Sequence, residues 1–544
     1  MEATIRKAVE EALAGAGASD VSFAVEWPAE LSHGDFATNA ALAAAKQLAR
    51  NPKELAEELA ASLRDSLGWE IAVAGPGFIN MTLPREEITK TLVVARDEDW
   101  GVGSAKEGKR VAIEYSCPNP FKEMHIGHLM STIIGESVAR LTENAGAAVI
   151  RDSYGGDVGP HVAKALWALR KDNVTDVANA AEVDKAYAHG SRAYEESETA
   201  KVEIDALNQE IYKGEDQALM DLWRKCREVC LEAFREIYGL LDTKFDYYFF
   251  ESEVTPIGIE IVNDGLQKGI FRESDGAIIY PGEEKGLHTL VFITSRGTPT
   301  YEAKDLGLAF YKEQRFESDE VIIETGSEQI GHFKVFLAAL SEIAPTLAAK
   351  TSHISHGLLT LTTGKMSSRL GNTITASGLL AGVIEQAKEK NDDPMIAAEV
   401  AVGAIKYMIL RQAAGSNVIF DPEKSLSLEG ESGPYLQYAL VRARSVLAQA
   451  GKGGSVQDVP SEPYTLERLI TRFPEVAARA ERERAPHHVA QYLTLLASEW
   501  NSFYAQERII GGEHEAYKLL IAEAFAATMA NGLRLLAIPT PKKM

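Results

Sequence analysis

The chain has 544 residues, a formal charge of −23 and 45% hydrophobic residues, which suits a large globular protein of roughly three or four domains with sizeable cores. It holds no apolar run of about 18 residues able to span a membrane, and its opening, MEATIRKAVEEALAGAG, sets acids among apolar residues as an amphipathic helix does and an export signal does not, so a cytoplasmic location with no membrane association is expected. Cys117, Cys226 and Cys230 are too few and too unevenly spaced for a disulfide framework or a zinc site, and no metal site is expected.

In chain order, residues 1–98 read as an α+β module that opens with a helix, turns through HGDFATN and ends near the apolar strand FINMTL. The polar, glycine-bearing stretch RDEDWGVGSAKEGKR, 96–110, marks a linker. From Val111 the alternation VAIEYS predicts a strand, Pro118 and Pro120 break it, and helical spacing resumes at Ile126. A strand thus runs through a loop into a helix start carrying His125 and His128. Backbone N–H groups there attract phosphate oxygens, and a histidine can donate to charge developing on a transferred phosphoryl group.

Further strand candidates, VIRDSY, IIYPG, LVFIT, DEVIIET and HGLLTL, with helices between them, predict a parallel α/β sheet that binds nucleotides at the carboxyl ends of its strands. The stretch at about 160–290 reads as an insertion, and its helix EDQALMDLWRKCREVCLEAFREIYGLL places Cys226 and Cys230 on one face. GKMSSRLGN, 364–372, sets Lys365 and Arg369 among small residues between a strand-like run and a helix, as a loop that closes on phosphates would. The dinucleotide fingerprint and the G-x-x-x-x-G-K-[ST] loop are both missing, which argues against a dehydrogenase or a P-loop enzyme. From 376 to 544 the pattern is helical, broken at Asp421-Pro422, in the Gly/Ser/Pro-rich stretch 451–463 and at Pro486.

The acidic total speaks against nucleic-acid binding, since phosphates are met by Lys and Arg. Its distribution does not: residues 431–544 hold 13 Lys/Arg against 12 Asp/Glu. Candidates for a basic face are Arg442, Arg444, Arg468, Arg472, Arg479, Arg482 and Arg484, although for any single one the ordinary reading is a helix arginine paired with a neighbour such as Glu481 or Glu483.

The H-x-G-H of 125–128 and the Lys365 loop together resemble the two signatures of class I aminoacyl-tRNA synthetases. SCPNPFKEMHIGHLMSTIIGES is similar to the extended form found in arginyl-tRNA synthetases, including Asn119 and Lys122. FDPEKSLSLEGESGPYLQYALVRARSVL and the closing AIPTPKKM resemble that family's C-terminal part, while HGDFATNAALAAAKQLARNP and GPGFINMTL resemble its additional N-terminal domain. The resemblance implies a multidomain α/β protein: an N-terminal domain at 1–98 for the tRNA D-loop, a Rossmann-like catalytic domain at 99–375, and an all-helical anticodon-binding domain at 376–544. It also implies a monomer that takes ATP, L-arginine and tRNA(Arg), with magnesium on the ATP phosphates and no protein site for the ion.

By the same resemblance, His125, His128, Lys365 and Lys122 serve catalysis, and Gly127, His128, Met366, Ser367 and Arg369 meet ATP. Glu114, Asn119, Tyr301, Asp305 and Gln329 take arginine, a planar cation with five donors that needs acceptors. The i,i+4 spacing of Tyr301 and Asp305 puts phenol and carboxylate on one helix face. Phe78, Asn80, Tyr435, Gln437, Tyr438 and Arg442 face tRNA, an aromatic ring and an amide suiting an unstacked base. Ser368 stands where most class I enzymes carry a second lysine, and Lys122 supplies the compensating cation. A non-catalytic tRNA-binding relative, another class I synthetase and a small nucleotidyltransferase remain alternatives. Intact histidine and Lys365 motifs favour the enzyme, and a nucleotidyltransferase needs no helical C-terminal part of this size.

Overall fold

A computed structural model of the chain describes residues 1–544 apart from Ala29, 363–374, Ala414 and 451–457. Met1–Val102, Tyr438–Arg479 and Tyr492–Gly532 cluster as one unit, and Gly103–Gln437, Ala480–Gln491 and Leu533–Met544 as another. Among the described residues no helix is long and apolar enough to cross a membrane.

In the first unit, the helix Pro52–Leu67 shows how local signals set the elements. Asn51 caps it by accepting from the Lys53 and Glu54 amides, Pro52 supplies its first turn, and Gly68 ends it in the left-handed conformation. Four antiparallel strands, β1 (Val25–Glu26), β2 (Phe36–Thr38), β3 (Glu70–Ala74) and β4 (Phe78–Thr82), pair in the order β1-β2-β4-β3. Alternation along β4 buries Ile79 and Met81 in the core and turns Phe78 and Asn80 to the other face. Helical segments within Tyr438–Arg479 and Tyr492–Gly532 belong to this unit: Trp500 stacks on Phe525 at 4.5 Å, and buried Glu467 receives both Arg85 at 2.6 Å and the Tyr517 hydroxyl at 2.5 Å.

In the second unit, β5 (Arg110–Glu114), β6 (Ala148–Gly155), β7 (Tyr247–Phe250), β11 (Glu320–Gly326) and β12 (Thr351–His356) form an all-parallel sheet ordered β12-β11-β5-β6-β7. The chain builds outward from β5 in one direction, then returns to place β11 on its other side. The carboxyl ends of β5 and β11 therefore flank the switch point, where such sheets open a crevice. β8 (Arg272–Ser274), β9 (Ala277–Tyr280) and β10 (Leu290–Ile293) form a separate antiparallel sheet, which corrects the expectation that IIYPG and LVFIT join the parallel one. The reason is local: Asp275 and Gly276 both have positive φ, so a two-residue hairpin turn folds β8 back on β9.

The expected insertion is likewise divided. Helices Pro160–Lys171, Ala180–Glu196, Glu198–Lys213 and Gln217–Leu240 leave the sheet, but β7 returns to it as its edge strand and runs directly into the helix Glu251–Gln267. Cys226 and Cys230 are both buried, on one face of Gln217–Leu240. HGLLTL is not in the large sheet; β13 (Leu359–Leu361) pairs in parallel with β14 (Val418–Phe420). That pairing draws 376–437 into the second unit, where the sequence places an all-helical domain from 376. A close helix approach adds to it, since a Cβ on Gly433 would lie 2.2 Å from the carbonyl oxygen of Gly403.

Candidate active site

The loop from β5 to the helix Ile126–Asn144 is held in unusual backbone conformations. Ser116, Cys117 and Phe121 all have positive φ, strain that persists only where surrounding bonds over-determine it. Those bonds are present: the Ser116 amide donates to Ser131 Oγ at 2.8 Å, the Thr132 hydroxyl to Ser116 Oγ at 2.8 Å, and the Tyr154 amide to Cys117 Sγ at 3.4 Å. Asn119 Oδ1 accepts from the Gly156 amide at 2.7 Å, which leaves its Nδ2 hydrogens for a carboxylate.

His125 is the N-cap of Ile126–Asn144. Its Nδ1 accepts the Gly127 amide at 3.1 Å, and the His125 amide donates to His128 Nδ1 at 3.3 Å. Burial, with Lys122 adding to it, lowers the His125 pKa; burial pushes His128 down to about 3. Both rings are neutral, and since each Nδ1 accepts, each Nε2 carries the hydrogen. The expected phosphate loop, with Lys365, Met366, Ser367, Ser368 and Arg369, lies outside the described residues. Its C-terminal flank is tied to the histidines: Thr375 bridges His125, and the Ala376 amide donates to the Met124 carbonyl at 2.7 Å. Lys122 holds its ammonium 4.9 Å from the centroid of the Tyr187 ring.

A cavity of about 530 Å³ opens at the switch point. It is lined by Glu114, Asn119, His125, Gly127 and His128 from the β5 side, by Tyr301 and Asp305, and by Gln329 beyond β11. The residues expected to meet arginine are therefore brought together, although they lie on four separate elements. Lys304, the neighbour of Asp305, is not solvated: it is buried in an ion pair with Glu251 at 2.5 Å. Glu114 is also committed in part. Burial pushes its carboxyl up despite Lys312, which donates to it at 3.0 Å and to Asp152 at 2.6 Å.

Sequence reasoning missed several lining residues. Glu251 and Glu324 are buried carboxylates, with Glu324 accepting from Ser131 Oγ and lying 3.8 Å from His356. His332 bonds Asp305 Oδ2 through Nε2 at 2.6 Å and approaches Glu302 through Nδ1 at 3.4 Å. Burial alone would lower the His332 pKa, but the two carboxylates outweigh it and push it up to about 10. Its place three residues after Gln329, on the next helical turn, is the one signal that could have marked it.

The expected tRNA-facing residues divide. Phe78 is 43% exposed, so it is not a core phenylalanine, and half-buried Asn80 shares its strand face. Arg442 lies between the rings of Tyr438 and Tyr504, 5.3 and 4.6 Å from their centroids. Tyr435 is half-buried. Gln437 is a correction: it is fully buried, and its Nε2 donates to the Glu399 and Pro539 carbonyls at 3.1 and 2.8 Å, so it packs the interior and has no face for RNA. Arg468, Arg472 and Arg484 are half-buried and engaged within the protein, bonded to the Leu31 carbonyl, stacked over Trp27, and bonded to Ser352 respectively.

Residues 88–422 match the family model for tRNA synthetases class I (R), catalytic domain; 2–83 match the arginyl tRNA synthetase N terminal domain, and 436–544 the DALR anticodon binding domain. An arginine–tRNA ligase of Borrelia hermsii is 31% identical over 534 residues, covering 92% of this chain and 91% of its own. One of Limosilactobacillus reuteri is 31% identical over 576 residues, covering 99% of both. The solved arginyl-tRNA synthetase of Thermus thermophilus superposes with a TM-score of 0.84 at 26% identity over 99% of each chain. A switch-point cavity faced by two neutral histidines and a set of carboxylates thus sits in a chain that belongs to the class I arginyl-tRNA synthetases.

Proposed function

We propose that this chain joins arginine to tRNA(Arg) in two steps, using the residues of the switch-point cavity. An arginine carboxylate oxygen attacks the α-phosphorus of ATP in line, the bond to the β-phosphate oxygen breaks, and pyrophosphate leaves. A ribose hydroxyl of the terminal adenosine then attacks the arginyl carbonyl; its proton is lost and AMP departs. The carboxylate is already a nucleophile, so positioning and stabilisation of phosphate charge do the chemistry. The Nε2 hydrogens of His125 and His128 serve the phosphates, as donors that need no titration near neutral pH. Gly127 lets the nucleotide approach, Lys365 serves the departing pyrophosphate, and Met366, Ser367 and Arg369 serve the bound ATP. Magnesium enters on ATP as part of the substrate.

Asp305 and Glu114 supply carboxylates for the guanidinium, Tyr301 its phenol, Gln329 its amide, and Asn119 Nδ2 hydrogens for the amino-acid backbone. The observation that carries this reading is the convergence of these five side chains with His125 and His128 around one cavity. Phe78 and Asn80, and Tyr438 with Arg442, are the surfaces offered to tRNA; the enzyme acts in the cytoplasm as a monomer. A charging assay with all twenty amino acids tests the reading: arginine alone should be esterified, and ATP–pyrophosphate exchange should need tRNA as well as arginine. Charging of another amino acid would overturn the substrate assignment, and exchange without tRNA would remove the coupling.

A further inference from the structure

We propose that His332 is the resident cation of the arginine subsite, bound to Asp305 in the empty enzyme and yielding that carboxylate, with loss of a proton, when a guanidinium arrives. This rests on the assignment of Asp305 to the arginine side chain made above. The geometry requires a cation: both ring nitrogens approach carboxylate oxygens, Nε2 that of Asp305 at 2.6 Å and Nδ1 that of Glu302 at 3.4 Å. A carboxylate only accepts, so both nitrogens carry hydrogen. The side chains of His332, Asp305 and Glu302 are 18%, 17% and 15% exposed, and at that depth a carboxylate without a partner is costly. The imidazolium serves as that partner until substrate comes.

The groups facing the ring are few. Helix Tyr301–Arg315 presents Glu302 and Asp305. β12 presents His353, which shares a hydrogen bond with Thr325 Oγ1 at 2.7 Å, stacks on Phe333 and is pushed down to about 4 by burial, with His332 adding to it, so it stays neutral. The turn Ser327–Gln329 presents Glu328 to the same cavity, and Glu114 lies beyond Asp305 and feels its charge. A guanidinium recognised in the bidentate way needs both oxygens of Asp305, and the imidazolium holds one. Once the two cations compete for one carboxylate, the ring retains only the long contact to Glu302 beside a new positive charge. It then gives up its proton and leaves Oδ2.

The exchange is read by titrating arginine into the full-length protein calorimetrically, in two buffers of different ionisation heat at the same pH. The expected result is release of about one proton per arginine, and equivalently a KM for arginine that falls by up to about tenfold per pH unit between about pH 7 and about pH 8. His332→Gln should abolish the release, flatten that dependence and lower the KM for arginine about tenfold at neutral pH, because no competitor has to leave; the KM for ATP should not follow. Absence of proton release in the wild type, or a higher KM for arginine in His332→Gln, would overturn the proposal and make His332 a fixed strut for Asp305. Should His332→Gln fail to fold, the wild-type proton count decides by itself, and Glu302→Gln should reduce it by weakening the hold on the second nitrogen. A wild-type protein that binds no arginine would remove the substrate assignment itself; one that binds it without protons removes only the role of His332.

Discussion

The rings of His125 and His128 stack 3.7 Å apart, and each uses its Nδ1 to accept a backbone N–H at the start of one helix. This capping box is unusual in being made of two imidazoles, and it settles the tautomer of both. The same bonds that end the helix aim two Nε2 hydrogens as donors. Capping the helix thus leaves both Nε2 donors available for the phosphate role proposed for these histidines.

Replacing either histidine by alanine should lower the rate of arginine activation by about 10²–10³-fold, the usual loss for a donor to transition-state charge, measured in single-turnover adenylate formation with tRNA present. Stability should respond to acid with a definite sign. His128 titrates at about 3 in the folded chain against 6.5 ordinarily, so the unfolded chain binds more protons between these values. Stability is lost as pH falls through that window. In His128→Ala this contribution should disappear from thermal melts recorded down the same pH series.

Asp305→Ala removes the carboxylate that a guanidinium would meet and leaves the His332 imidazolium with Glu302 alone. The expected loss is roughly 2–5 kcal/mol in kcat/KM for arginine, the scale for truncating one side of a buried charge pair. An unchanged KM for arginine would place the pocket elsewhere.

Phe78 and Asn80 project from one face of β4 while Ile79 and Met81 hold the core. The double replacement by alanine should leave the unfolding free energy within about 0.5 kcal/mol of wild type, as for surface changes generally, and raise the KM for tRNA. Wild-type charging by a folded double variant would remove the D-loop contact.

If Lys122 supplies the compensating cation, Lys122→Ala should slow activation by about tenfold or more while tRNA binding persists. Adding Ser368→Lys should restore part of the rate. A single variant with wild-type kinetics would shift the role to Arg369.

Glu324 supplies a stability test of opposite sign. Burial pushes its carboxyl up to about 7 from 4.5, and its Oε1 has no hydrogen-bond partner among the described residues. The folded chain keeps a proton that the unfolded chain loses, so stability declines as pH rises from 4.5 to about 7. Glu324→Gln should be more stable than wild type at about pH 8, by up to about 3 kcal/mol of unfolding free energy, and match it near pH 4, as read from melting curves.

Much of the site is legible in the sequence because it is local. The strand–loop–helix around His125 needs only an alternation, two prolines and a resumed helical period, and the pair Tyr301/Asp305 needs only one helical turn; both fold as read. The roles attached to them came from resemblance to a family, since periodicity carries no chemistry. What tertiary structure alone decided is everything set by pairing across distance. Strand order is one case: the apolar runs at 277–280 and 290–293 look like strands of the large sheet yet pair in a small antiparallel one, while TSHISH, polar everywhere but Ile354, joins the parallel sheet beside β11. Burial is another: Gln437 reads as a polar helix residue but is enclosed by the Pro394–Leu410 helix and the C-terminal segment. The partnership of His332 with Asp305 is the third. Twenty-seven residues separate them, and only the packing of two helices beside β11 brings an imidazole onto that carboxylate, because hydrogen-bond geometry depends on distances in space that sequence spacing does not encode.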